Sequence, residues 1–135
     1  MTQVLTPAPP VTSITLPVGM PGFPELRELG CRPWGGDGSP FVVLSADEPR
    51  VRFGATTPKI FFPNYQPEIP AEVRADLRLG DAEAWMLVVL TLGTTPAATT
   101  ANLLGPLVVN PDTGRARQVV LNITDWSPQT PLVRS

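Results

Sequence analysis

The chain has 135 residues, a formal net charge of −2, no histidine and one cysteine. This length suits one domain that buries roughly two-thirds of its unfolded surface. The weak negative charge argues against nucleic-acid binding, which depends on clustered bases that neutralise phosphates. A chain without histidine or a second cysteine cannot form the usual structural zinc site or an internal disulfide, and we expect no cofactor.

The N-terminal residues lack the basic region and the apolar core of a signal peptide. The longest apolar run, residues 84–92, is shorter than the ~20 residues that span a bilayer. A lone cysteine fits a reducing compartment. We therefore expect a cytoplasmic protein that does not enter a membrane.

Short strands should dominate the fold, because eighteen prolines and eleven glycines interrupt the chain. Residues 1–10 show no apolar periodicity and are predicted to be a mobile tail. Residues 23–34 could hold a short turn of helix before a strand. Patterns typical of strands occur at residues 12–18, 29–31, 41–46, 51–55, 59–62, 84–92, 98–104, 107–110 and 115–122.

One helix is predicted, over residues 70–79. Pro70 suits the first helical position, and Val73 and Leu77 share a face at i, i+4. Gly80 is predicted to end the helix in a left-handed cap. Because so short a helix is unstable alone, Val73 and Leu77 must dock on the sheet.

Residues 84–92 are apolar on both faces, which fits a buried helix or a central strand. Paired valines, Trp85 and the stop at Gly93 favour the strand. In a small antiparallel fold, such a strand needs a second layer or a barrel around it. The last two predicted strands form a hairpin, and its turn at 111–114 fits a type I turn followed by a left-handed glycine.

These patterns predict a mainly β protein, a small antiparallel β-barrel-like domain with one short helix. The domain is predicted to cover residues 11–124, between the N-terminal tail and a second mobile tail at residues 125–135. Catalysis is the minority interpretation, because general acid–base chemistry usually recruits histidine. A hydrolase using Glu68 and Asp76 stays open, although solvated positions explain these acids more simply.

The segment from Pro58 to Pro70 places three aromatic residues among four prolines. The prolines exclude a regular helix and limit any strand to its first residues. Stiff loops that hold large rings suit recognition, because little entropy is lost on binding. Alternation suggests that one of Phe61 and Phe62 is buried, whereas the ring and hydroxyl of Tyr65 suit an exposed interface.

Three blocks of the chain resemble the bacterial flagellar assembly factor family FliW. The turn at residues 19–23, GMPGF, is similar to the family's Gly-Leu-Pro-Gly-Phe turn. Residues 61–70, FFPNYQPEIP, resemble its Phe-Phe-Pro-Asp-Tyr segment and the following acidic helix. Residues 101–111, ANLLGPLVVNP, with QVVL downstream, match a third block in order and spacing. Asn64 and Asn122 stand where the family commonly has acids, which weakens the contacts expected with a basic partner.

The resemblance implies a partner switch without catalysis. The family binds newly made flagellin and also CsrA, a small RNA-binding protein that represses flagellin translation. When flagellin is exported, the freed factor occupies CsrA and lifts the repression. We expect a monomer without direct nucleic-acid or membrane contacts. The alternative is a β-barrel protein-interaction module outside motility.

The predicted protein-binding residues lie in the aromatic segment, the acidic helix and the third block: Phe61, Phe62, Tyr65, Glu68, Glu72, Asp76, Asn102 and Asn110. The acids beside an exposed ring would steer a basic protein, raising the on-rate more than the affinity. The hypothesis predicts that Tyr65→Ala combined with Glu68→Lys weakens partner binding and leaves the melting temperature nearly unchanged. Asn110 is also expected to cap the hairpin turn.

Overall fold

The computed structural model describes residues 9–35, 39–47, 50–95, 98–121 and 126–132. Its helices are a 3₁₀ turn at Pro58–Ile60 and the short helix α1 at Ala71–Asp76. Its strands are β1 (Ser13–Thr15), β2 (Glu28–Pro33), β3 (Phe41–Asp47), β4 (Arg50–Thr56), β5 (Trp85–Thr91), β6 (Thr100–Ala101), β7 (Leu107–Val109), β8 (Ala116–Gln118) and β9 (Thr130–Pro131).

Strands β1 to β5 pair with one another in chain order, and every named pair of strands is antiparallel. Strand β5 then divides its remaining edge between two partners. Its first half pairs with β7, with Leu87 opposite Leu107, and its last residues pair with β6, with Leu90 opposite Ala101. Strand β7 continues to β8, and β6 continues to β9.

The sheet almost closes into a barrel, because its first strand, β1, meets the residue that precedes β8. Thr15 of β1 forms an isolated parallel bridge with Arg115, just before β8. The backbone N–H of Thr15 donates a hydrogen bond to the carbonyl oxygen of Gly114 at 2.8 Å. The prediction of a mainly β, antiparallel, barrel-like domain with one short α-helix is therefore confirmed over the described residues.

Strand β5 is buried on both faces, as predicted. Leu87 points into the barrel core, which also takes side chains from β1, β2, β3, β4, β7 and β8. Val88 and Leu90 point to the other face and form a second cluster with Phe62 and Tyr65. A third cluster packs helix α1 against β7 and the residue after β8: Val73, Leu77, Leu79, Val108 and Val119. The predicted docking of the helix on the sheet is confirmed.

The predicted strand at residues 59–62 is wrong. The backbone N–H groups of Phe61 and Phe62 both donate to the carbonyl oxygen of Pro58, at 3.1 and 2.8 Å, and this closes a 3₁₀ turn. Pro58 favours the turn because its ring fixes φ near the helical value. The suggested turn of helix after Phe23 is also absent from the described residues, where Met20 and Phe23 instead exchange two backbone hydrogen bonds.

The predicted helix is shorter in the structure. Pro70 keeps an extended ψ of 145° and precedes the helix instead of opening it. The helix ends at Asp76, and Arg78 already takes a left-handed φ of 57° before Gly80 does at 58°. The strands expected at 12–18, 98–104 and 115–122 shrink to the two or three residues that find a hydrogen-bonded partner.

The expected C-terminal tail from residue 125 differs in the structure. Residues 130–131 form β9 and pair with β6, and Leu132 packs against the second cluster. The Trp126 ring meets the Tyr65 ring edge to face, with centroids 4.8 Å apart. The apolar side chains of Trp126 and Leu132 explain why this segment stays on the sheet. Residues 1–8 of the expected N-terminal tail lie outside the described residues.

Closure of the barrel makes Gly114 a sensitive position. Its φ is 81°, and an added Cβ would lie 2.4 Å from the carbonyl oxygen of Ser13 in the opposite strand. We expect Gly114→Ala to lower the free energy of unfolding by about 2–4 kcal/mol, because it combines backbone strain with a collision. Urea denaturation measures the change.

Gly22→Ala is the matched control. Gly22 has a similar φ of 85°, but an added Cβ would meet no heavy atom within 4 Å. This variant carries only the cost of the backbone conformation, about 1–2 kcal/mol. Equal losses in the two variants would show that the contact with Ser13 has no part in closing the barrel.

Candidate interaction site

Tyr65 is part of the core, not of an exposed surface. Tyr65 is only 1% exposed, and its hydroxyl donates a hydrogen bond of 2.6 Å to the carbonyl oxygen of Leu103. Phe62 lies in the same cluster and is 9% exposed. The expectation of an exposed Tyr65 ring is therefore wrong, and so is the expectation that replacing Tyr65 leaves the melting temperature nearly unchanged. Prolines on both sides of Tyr65 prevent regular pairing, so the ring enters the core as a loop anchor.

Phe61 lies beside this anchor and faces a different environment. It is half-buried, and its ring centroid is 5.7 Å from that of Phe41 on β3. The Phe41 ring in turn meets the Trp34 ring edge to face, with centroids 6.0 Å apart. Three rings from separate parts of the chain therefore form a row along one end of the sheet.

This row of rings forms one wall of an open groove with a volume of about 540 Å³. We call it the aromatic groove. It is lined by the ends of β2, β3 and β5, by the residue after the 3₁₀ turn, and by residues beside β6 and β9: Trp34, Gly35, Ser39, Phe41, Phe61, Leu90, Leu92, Gly93, Thr94, Thr95, Thr99 and Leu132. Trp34 is 40% exposed and Leu92 is 56% exposed. None of the described lining residues carries a charge.

Gly54 on β4 positions the Trp34 ring. A Cβ added at Gly54 would lie 2.9 Å from Cζ3 of Trp34, closer than real Cβ contacts allow. The indole therefore lies directly over the backbone of β4. A bare glycine in a strand often marks this kind of close approach. Trp34 and Leu92 were not among the predicted binding residues, because their exposure depends on how distant strands meet.

The predicted acidic residues differ in their surroundings within the described part of the chain. Glu68 and Glu72 are exposed. Asp76 is held by Arg115, which precedes β8, and by Arg117 within β8: Oδ1 lies 3.2 Å from Arg115 and Oδ2 lies 3.5 Å from Arg117. Its carboxylate therefore joins the end of α1 to the sheet. These side chains remain about one-third exposed, so the pairs contribute little to stability.

Asn102 and Asn110 have structural partners. The Asn102 side-chain oxygen accepts hydrogen bonds from the backbone N–H groups of Leu104 and Gly105, both at 3.1 Å. The Asn110 oxygen accepts one from the N–H of Asp112 at 2.9 Å, which confirms the predicted turn cap. Its amide nitrogen also donates to the carbonyl oxygen of Leu77, which ties the hairpin to the end of α1.

The structure thus brings the aromatic segment and the third block together through Tyr65 and Leu103. It places Asp76 and Asn110 at the junction of α1 with the hairpin, and it leaves Glu68 and Glu72 on the surface. Of the eight predicted binding residues, Phe61 alone lines the aromatic groove.

The described residues do not bring their acids or their thiol together into a metal site. Over those residues, no group of three or more acidic, cysteine or histidine side chains lies close enough to hold a metal ion. Burial raises the pKa of the Cys31 thiol to about 11, so the nucleophilic thiolate is scarce near neutral pH. Among the described segments, no helix has the length and apolar character to cross a membrane.

The buried hydroxyl of Tyr65 yields a stability prediction. Tyr65→Phe removes a buried hydrogen bond and leaves the Leu103 carbonyl without this donor, so we expect a loss of about 1–3 kcal/mol. Tyr65→Ala also removes the ring and should cost about 3–5 kcal/mol. Urea denaturation compares both with the wild type. An unchanged melting temperature in Tyr65→Ala would contradict the buried position.

The same burial predicts a pH dependence. Burial raises the pKa of the Tyr65 phenol well above its ordinary value of 10.0. The stability that the neutral phenol contributes is complete below about pH 10 and falls as the pH rises further, because the unfolded chain then ionises first. Tyr65 is the chain's one tyrosine, so tyrosinate absorbance reports it directly.

At about pH 11 we expect little tyrosinate in the folded protein and mostly tyrosinate in the urea-unfolded chain. Tyr65→Phe should show no tyrosinate absorbance in either state, and its free energy of unfolding should fall less steeply as the pH rises. Ionisation at the same pH in both states would contradict the shift.

Comparisons with known proteins agree on one family. The model of the family described as FliW protein matches residues 5–132. The flagellar assembly factor FliW 2 of Desulfotalea psychrophila is 32% identical over 125 residues, which cover 91% of this chain and 82% of that protein. The flagellar assembly factor FliW of Bacillus subtilis is 35% identical over 118 residues, covering 84% and 80%.

A solved structure gives the same result. The crystal structure of a flagellar assembly factor FliW superposes with a TM-score of 0.82 at 25% identity, and the match covers 92% of this chain and 87% of that one. The resemblance found in the three sequence blocks is thereby confirmed, and the barrel-like fold is shared. On these grounds, the chain belongs to the FliW family of flagellar assembly factors.

Proposed function

We propose that this protein binds flagellin in the cytoplasm, antagonises the translational repressor CsrA, and so couples flagellin synthesis to export. The observation that carries the proposal is family membership: a match over residues 5–132, with relatives named as flagellar assembly factors. The three resembling blocks, from which these two partners were first expected, all lie within that match.

A binding role without catalysis fits the reactive side chains that this protein has. The chain has no histidine, and the pKa of its one thiol is raised by burial. Its open groove is apolar and uncharged over the described residues, whereas a hydrolytic site needs positioned acids and bases. Apolar grooves with exposed aromatic side chains are typical of protein interfaces.

The exposed acids Glu68 and Glu72 support contact with a basic partner such as an RNA-binding protein. Carboxylates at the rim of an interface act mainly on the rate of association. Asp76 contributes less to the negative potential of this surface, because Arg115 and Arg117 lie within 3.5 Å of its oxygens. Asn64 is exposed and carries no charge where the family commonly has an acid, so the steering field is weak on this segment.

The test is calorimetry of the purified protein with flagellin and, separately, with CsrA. We expect saturable binding to both, with Kd on the order of 1 μM or tighter, and a monomer by light scattering. A titration of one complex with the other partner then measures competition. Binding to neither partner would refute the proposal and favour an interaction module outside motility. Binding to flagellin alone would remove the translational half of the proposal.

A further inference from the structure

We propose that residues 126–132 form an edge cap: they cover the free edge of strand β6, and the edge that they present to solvent in its place cannot pair with a second copy of the chain. Strand β9 is the part of this cap that is paired with β6. The proposal concerns contacts of the chain with itself, so it does not depend on the proposed partners.

The branch of the sheet that contains β6 needs such a cover. The path of paired strands runs from β1 to β5 and then to β6 and β9, and among the described strands β9 pairs with β6 alone. At the other end of the path, β1 meets Arg115 and the barrel almost closes. An uncovered edge of β6 would expose unpaired N–H and C=O groups, which are a template for pairing with another chain.

Apolar anchors at both ends hold the edge cap in place. The Trp126 ring meets the Tyr65 ring edge to face, and Leu132 packs against the same cluster. The backbone N–H of Leu103 also donates a hydrogen bond of 3.0 Å to the carbonyl oxygen of Ser127. A strand of two residues is too short to stay paired by itself, so these anchors keep β9 on the sheet.

The pairing register turns the backbone nitrogen of residue 131 away from β6. Pro131 lies opposite Thr100, and the next residue, Leu132, donates its N–H to the carbonyl oxygen of Thr99 at 3.2 Å. Successive backbone N–H groups of an antiparallel strand point to opposite sides, so position 131 faces the outer edge of β9. A proline at this position has no N–H to offer to an incoming strand.

The neighbouring N–H groups of the edge cap are occupied as well. The backbone N–H of Gln129 donates to the hydroxyl oxygen of Ser127 at 3.1 Å. Thr130 lies opposite Ala101, and by the same alternation its N–H points towards β6. Residues 129–131 therefore leave no free backbone donor on the outer edge of the sheet.

The backbone has to supply this protection, because charge does not. Residues 126–132, WSPQTPL, contain no charged side chain, and the whole chain has a net charge of only −2. Edge strands are commonly protected by lysine, and a large net charge keeps copies of a protein apart. A second copy brings the same uncharged strand, which could pair with the first around a two-fold axis. The proline of β9 excludes this pairing.

The test restores the missing donors and measures self-association by light scattering over a range of protein concentrations. Pro131→Thr returns an N–H to the outer edge, and Ser127→Ala combined with Pro131→Thr also frees the N–H of Gln129. We expect the wild type to stay monomeric and both variants to form dimers, the double variant at about tenfold lower concentration. Pro128→Thr is the matched control, because residue 128 lies outside β9, and it should stay monomeric.

Hydrogen exchange locates the contact between the two copies. In the dimer of Pro131→Thr, the amide introduced at position 131 should exchange about tenfold or more slowly than in the monomer, because it donates to the second copy. Melting temperatures near the wild-type value verify that the variants are folded. This substitution removes no hydrogen bond of the wild type, since the proline nitrogen carries no hydrogen.

Three results would overturn the inference. The first is a single and a double variant that remain monomeric at every concentration. The second is a dimer in which the amide at position 131 exchanges as fast as in the monomer. The third is association of the wild type or of Pro128→Thr to the same extent as that of Pro131→Thr. None of these measurements uses flagellin or CsrA, so their outcome is separate from that of the proposed function.

Discussion

Burial of strand β5 on both faces is the constraint on which the structure depends. Leu87 contributes to the barrel core, while Val88 and Leu90 contribute to the outer cluster. The strand also pairs with β4, β6 and β7, so it belongs to both branches of the sheet. Because an apolar strand cannot leave either face in water, the chain must supply a second layer over the barrel. The aromatic segment, helix α1 and residues 126–132 form that layer.

The residues that carry the family resemblance mainly hold these layers together. Tyr65 joins the aromatic segment to Leu103 in the third block, and Asn110 joins the hairpin to Leu77 at the end of α1. Trp34 and Leu92, the most exposed large side chains of the groove, lie outside all three blocks. The side chains that hold the layers together and those that line the groove are therefore largely different. Substitutions can change the groove without disturbing the contacts that define the fold.

The surface offers two kinds of contact. The aromatic groove is apolar, and none of its described lining residues carries a charge. The region around α1 carries exposed carboxylates at Glu68 and Glu72, with Asp76 held by arginines. Apolar contact provides affinity through burial, whereas exposed charge mainly changes the rate of encounter. The two surfaces therefore favour partners of different chemistry.

The sequence by itself determined the fold class, the central strand, the capped hairpin turn and the family. These features depend on local patterns: apolar residues on both faces of 84–92, the Pro-Asp-Thr-Gly turn before β8, and the spacing of three motifs. The structure confirms these predictions. Hydrophobic periodicity, turn chemistry and strand length depend on neighbouring residues, so they can be recognised in the sequence. The sequence also indicated that Val73 and Leu77 dock on the sheet, since α1 is too short to be stable alone.

Only the tertiary structure decided which aromatic side chains are buried and which are exposed. Tyr65 is in the core because Leu103, distant in sequence, accepts its hydrogen bond and Trp126 covers its ring. Trp34 is half-exposed because Gly54 leaves room for it on β4. Neither pairing has a local signal. A side chain's burial depends on which strands become neighbours, and pairing between distant segments is set by the whole sheet.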